Sequence, residues 1–90
     1  MEIPSRVRKQ ADALPERIRK RFLFLLREIR ELGPARANRP HYGKLKGRGE
    51  VHHCHLNAGR PRYVAVWEVL DKKVRLIEVR YVGTHEKADY

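Results

Sequence analysis

"YVAVWEVLDKKVRLIEVRYV", residues 63–82, decides the fold. Two runs rich in β-branched and aromatic residues, "YVAVWEV" (63–69) and "KVRLIEVRYV" (73–82), are joined by the short polar link "LDKK". A link this short predicts an antiparallel hairpin. Alternation sets Val64, Val66 and Glu68 against Tyr63, Ala65, Trp67 and Val69 in the first run. In the second it separates Leu76, Glu78, Arg80 and Val82 from Arg75, Ile77, Val79 and Tyr81. Upstream, "VHHCHL" (51–56) is tied to this hairpin by the turn "NAGRPR" and supplies another strand. There, Val51, His53 and His55 share one face, and His52, Cys54 and Leu56 share the other. The pattern leaves open which face meets the rest of the chain.

The period changes upstream of the strands. "PSRVRKQADA" (4–13) suits a short helix, with Val7, Ala11 and Leu14 on one side. Pro15 restarts the chain in the first turn of a longer helix. In "PERIRKRFLFLLREIRELG", residues Ile18, Phe22, Leu25, Ile29 and Leu32 recur at spacings of four and three, and Leu26 widens the stripe. Phe24 lies off the stripe, which leaves two readings: a contact for a partner, or partial cover by the neighbouring short helix. Gly33 and Pro34 end the helix. From Ala35 to Glu50 the chain is basic and predicted to be irregular, and a loop of that length is usually functional. Helices first and an antiparallel sheet second make an α+β layout, the helices packed on one face of the sheet.

With 90 residues the chain is expected to form one small domain. It carries 21 Lys and Arg against 11 Asp and Glu, a net charge of +10. The excess is uneven, with +8 in residues 1–50 and +2 in residues 51–90. A small domain with this excess is predisposed to bind a polyanion, because each neutralised phosphate releases counterions. One cysteine rules out an internal disulfide framework. No apolar run approaches the roughly 18 residues of a membrane span, and the N-terminal stretch lacks the apolar core of a signal peptide. The expected compartment is the cytoplasm, with Cys54 reduced.

"VHHCHL" looks first like a metal cluster. Neighbouring strand residues point to opposite faces, so at most two of its four candidate ligands can share an ion, and a closed zinc site needs about four. Neither a metal nor another cofactor is expected. Cys54 is most simply a packing residue. Exposed imidazoles on a basic chain permit another chemistry. Histidine titrates near neutrality and can move protons during phosphodiester cleavage, with the 2′-hydroxyl of RNA as the nucleophile. Ordinary strand histidines satisfied by hydrogen bonds are the plainer alternative.

Order and spacing then suggest a family. "KLKGRGEVHHCHL" after a helical hairpin, followed by "YVAVWEVLDKKVRLIEVRYVGTH" and the terminal "EKADY", resembles the RelE/ParE toxin superfamily over about residues 7–90, nearest its YafQ-like and HigB-like branches. The resemblance implies a curved antiparallel sheet and a ribosome-dependent mRNA endonuclease that inhibits translation, restrained by a cognate antitoxin protein. It points to His55, His85 and Tyr90 as catalytic residues with His53 beside them, and to His41, Glu86 and Asp89 as further candidates. Charge adds Lys44, Lys46, Arg48 and Arg80 as phosphate contacts. "MEIPSR" is too short for the family's first strand, which is expected to be absent or reduced. The acidic residue that usually follows the strand histidine is missing from "LNAGR", so Glu86 or Asp89 would have to supply one. Two other functions remain open: a ParE-like inhibitor that acts on DNA gyrase by binding, and a basic RNA-binding module without activity.

Overall fold

The computed structural model describes residues 1–45, 49–74 and 76–88. Two helices, α1 (Ser5–Asp12) and α2 (Glu16–Leu32), precede four strands, β1 (Gly43–Lys44), β2 (Val51–His55), β3 (Tyr63–Asp71) and β4 (Leu76–Thr84). A short 3-10 turn, His85–Lys87, follows β4 directly. The strands form one curved antiparallel sheet in the order β1-β2-β3-β4. The fold is therefore the expected α+β arrangement.

The helical stripe becomes the core. Val7 of α1 and Ile18, Phe22, Leu25, Leu26 and Ile29 of α2 are buried, and they meet Cys54, Leu56, Ala65, Trp67, Ile77, Val79 and Val82 of the sheet. The helices therefore cover the His52–Cys54–Leu56 face of β2. Leu32 departs from the expected stripe: it stands in the last turn before Gly33 and is 63 % exposed. Phe24 is also exposed, and its cover comes from the loop rather than α1, with the Arg39 guanidinium 5.5 Å from the ring centroid.

The pairing of β3 with β4 slips twice, at Leu70 near the connecting turn and at Arg80 within β4. Val66 pairs with Tyr81 and Trp67 with Val79, so Arg80 is the extra residue of a bulge. The bulge inverts the expected faces beyond it. Val82 joins Ile77 and Val79 in the core, and Tyr81 crosses to the His53–His55 face. There Tyr81 lies over Gly83 and donates its hydroxyl to the Thr84 carbonyl at 2.8 Å. A Cβ at Gly83 would come within 2.6 Å of that hydroxyl, so the glycine is needed for the close approach.

The loop expected to be irregular is tied down at both ends. Arg36 and Arg39 both donate to the Glu28 carboxylate, at 3.3 and 2.8 Å. Burial opposes the charged form of Glu28, but these bonds outweigh it and hold its pKa below the ordinary 4.5. Further on, Gly43 and Lys44 pair with His53 and His52, which adds the short edge strand β1 that the sequence pattern did not show.

The reduced first strand takes a specific form. Glu2 makes one parallel bridge to Glu78, its N–H donating to Ile77 and its carbonyl accepting from Val79. Side chains of α1 take over further along the β4 edge: Gln10 Oε1 accepts from the Val82 N–H at 3.2 Å, and Arg6 donates to the Arg80 carbonyl at 3.2 Å. Val82 is buried, so removing its acceptor leaves an unsatisfied amide. Gln10→Ala is expected to lower stability by about 1–3 kcal/mol, read as a lower urea midpoint with an unchanged slope.

Candidate functional site

The sheet face turned away from the helices carries the histidines that the sequence singled out. Cross-strand rows place His53 beside Val66 and Tyr81, and His55 beside Val64 and Gly83. Two backbone hydrogen bonds bring other segments to His55. Its own N–H donates to the Pro40 carbonyl at 2.9 Å, which sets His41 alongside, and the His85 N–H donates to the Arg62 carbonyl at 2.7 Å.

Three imidazoles meet as a result. His41 stacks on His55 with centroids 4.2 Å apart, and His85 meets the edge of His55 at 5.6 Å. His41 takes a left-handed backbone conformation, φ 52°, to do so. For a residue other than glycine that conformation is uncommon, and such outliers cluster at functional sites. The rings meet by stacking and edge contact instead of converging their nitrogens on a point. Among the described residues no group of three or more His, Cys, Asp or Glu side chains is placed to hold a metal ion.

A cleft of about 180 Å³ opens over His55 and His85, walled by Arg60, Arg62 and Glu86. A second hollow of about 290 Å³ adjoins it, bounded by Arg21, Pro40, His41 and Ala58. His55 and Arg62 line both. Arg60 and Arg62 were missed by sequence reasoning. They sit in the turn "NAGRPR", whose role looked like connection only. Their signal was present: two arginines in the link that follows a histidine-bearing strand. Asn57 shapes that turn, accepting from the Tyr63 N–H at 2.8 Å and donating to the Pro61 carbonyl at 3.1 Å.

Electrostatics separate the roles of the histidines. Burial lowers the pKa of His55 below the ordinary 6.5, and electrostatic repulsion from His41, Arg62, His85 and His53 against its charged form acts in the same direction. His55 is therefore neutral at pH 7 and able to accept a proton. His53 is lowered too, by burial and by the neighbouring His52 and His85. Two buried polar atoms at the site, His55 Nδ1 and Arg62 Nε, have no hydrogen-bond partner among the described residues. Orphaned groups of this kind are rare in folded proteins.

The remaining expected site residues are dispersed. Arg80 is held by Glu68 and Glu78 at 2.9 and 3.1 Å and does not line the cleft. Lys44 lies on β1 with its ammonium on Glu50 at 3.4 Å, beside His52 rather than His55. Lys46, Arg48, Asp89 and Tyr90 lie outside the described residues. Cys54 is fully buried, and burial pushes its thiol up to about 12, which makes it a packing residue.

His52 is the third imidazole that burial holds below 6.5, with Glu50 partly opposing the shift. A histidine whose pKa is depressed by folding binds more protons unfolded than folded below about pH 6.5, so its contribution falls as the pH drops. His52, His53 and His55 act together in this window. Glu50 acts separately: a hydrogen bond from Lys72 holds its pKa at about 2, so its contribution persists until far lower pH. The urea midpoint is expected to fall between about pH 7.5 and pH 5.5, and a His55→Asn variant to show a shallower fall.

No family model, curated protein or solved structure matches the chain.

Proposed function

We propose that the chain is a toxin of the RelE/ParE type that cleaves ribosome-bound mRNA without a metal ion and so inhibits translation. One observation carries this reading: His55 and His85 share a cleft with Arg62, and His41 stacks on His55 from the adjoining hollow, on a chain of net charge +10. Clustered imidazoles beside an arginine supply the groups that phosphodiester transfer needs.

The step proceeds as follows. Neutral His55 removes the proton from a ribose 2′-hydroxyl, and that oxygen attacks the adjacent phosphorus. The P–O5′ bond breaks, and His85 gives its proton to the departing 5′-oxygen. The products are a 2′,3′-cyclic phosphate and a free 5′-hydroxyl. Arg62, with Arg60 at the mouth, stabilises the charge that builds on the phosphorane oxygens. The lowered pKa of His55 favours it as the base, and His53, on the same sheet face, holds the RNA backbone. Glu86, on the cleft wall, is the acidic group available to orient His85. Tyr90 stacks on a base near the scissile bond. The chain acts in the cytoplasm under the control of a cognate antitoxin, and the exposed basic faces of the helices around Phe24 are the contact assigned to that partner.

His55→Ala and His85→Ala are each expected to slow cleavage of ribosome-bound mRNA by about 10²–10⁴-fold, and Arg62→Ala to slow it comparably. A 2′-deoxy nucleotide at the scissile position should abolish cleavage, whereas chelation of divalent metal by EDTA before addition to intact ribosomes should not. Wild-type rates in both histidine variants would refute the assignment. Growth arrest with intact mRNA and induced DNA damage would identify a gyrase inhibitor instead. RNA binding without growth arrest, with affinity that falls steeply with salt, would identify an inactive binding module.

A further inference from the structure

The helix-facing side of the sheet holds a cavity unrelated to the histidine cleft. It is a half-open pocket of about 330 Å³ between the Pro34–Ala35 turn, Val69 and Ile77, with Tyr42, Glu50 and His52 at its polar end. That volume is at the lower end of the ~300–1,000 Å³ range of small-molecule sites. We propose that this cavity binds a small organic monocarboxylate, its apolar body against Val69 and Ile77 and its carboxylate on the N–H donors of Lys44 and Lys72 that Glu50 leaves unused.

The polar end is built around a buried imidazole. His52 is only 2 % exposed, and Tyr42 Oη lies 2.7 Å from its Nδ1. Burial raises the pKa of Tyr42, so its hydroxyl keeps its proton, and it donates to Nδ1 because the Glu50 carboxylate can only accept and so fixes the ring proton of neutral His52 on Nε2. Nε2 donates to Glu50 at 3.4 Å. Tyr42, His52 and Glu50 satisfy one another, so this wall holds no activated nucleophile and leaves the lysines to meet a ligand, which suits binding better than catalysis.

Charge selects the ligand. Lys72 Nζ and Lys44 Nζ both lie on Glu50 Oε1, at 2.6 and 3.4 Å. An ammonium has three N–H donors, and one spent on Glu50 leaves two on each lysine. With His52 neutral, two cations and one anion give the lining an excess of one positive charge. A monoanion completes that balance, while the apolar floor disfavours a bare inorganic ion.

The protein contains its own reporter. Trp67, the only tryptophan, stacks parallel on His52 at 5.8 Å and donates its indole N–H to the Pro34 carbonyl at 3.0 Å. Both contacts belong to the cavity wall, so occupancy should alter its emission. The test titrates the full chain with 3-phenylpropionate and, separately, with the uncharged 3-phenylpropanamide, following Trp67 fluorescence and the backbone amide shifts of Val69 and Ile77. The carboxylate is expected to saturate both signals and to bind at least about tenfold tighter than the amide, the ratio expected for one charge-assisted pair. The double variant Lys44→Gln/Lys72→Gln should lose that preference with its circular dichroism intact. Ala35→Leu, at an exposed rim position, should weaken carboxylate binding without lowering the melting temperature. Equal affinity for acid and amide, unperturbed Val69 and Ile77, or shifts confined to His55 and His85 would overturn the proposal. None of these results depends on whether the histidine cleft cleaves RNA.

Discussion

The hydrogen bond between Tyr42 and His52 sets the orientation of strand β2. A hydroxyl at 2.7 Å satisfies one ring nitrogen, and Glu50 takes the other, so a polar side chain can sit in the core against Trp67 at little cost. Strand periodicity does the rest. With His52 and Cys54 committed inward, His53 and His55 must face outward, where the cleft forms. A slip of one residue would turn His53 and His55 toward the helices and Cys54 away from them, so the register of β2 and the chemistry of the opposite face are fixed by the same contact.

Much of this was legible in the sequence. The four-and-three spacing of Ile18, Phe22, Leu25 and Ile29 marked the core face of α2, and alternation correctly split the four residues of "HHCH" into two pairs. The gathering of His41, His55 and His85 was anticipated only through the motif resemblance, since nothing in local pattern brings residues thirty positions apart together. Other features were invisible for identifiable reasons. The bulge at Arg80 depends on how β4 fits β3, and period-two counting assumes an unbroken ladder. Strand β1 is two residues long and gains its structure from pairing with β2, so Gly43 and Lys44 carried no pattern of their own. Arg60 and Arg62 were hidden by their setting, because turn composition explains a segment such as "NAGRPR" so completely that its charges attract no further question.

Basic residues perform different tasks in this chain, and net charge does not distinguish them. Arg36 and Arg39 are spent on Glu28, and Arg80 on Glu68 and Glu78. These pairs shape the loop and the sheet. Arg62, in contrast, meets the cleft without a carboxylate among its described hydrogen-bond partners, its only one being the Ala58 carbonyl at 3.3 Å. The count of +10 overstates the charge available at any one surface, while the placement of two arginines beside His55 and His85 concentrates it where an anion would arrive.

The edge of β4 has a consequence for how the protein behaves in a crowded solution. An uncovered outer strand offers its free amides and carbonyls as a template on which other chains add strands and aggregate. Here Glu2, Arg6 and Gln10 occupy those groups, so a helix and a two-residue contact guard an edge that a full strand would otherwise cover. The guard is also compact. It spares the chain an entire strand and its connecting turn, which for a domain of this size is a sizeable share of the residues that must be ordered on folding.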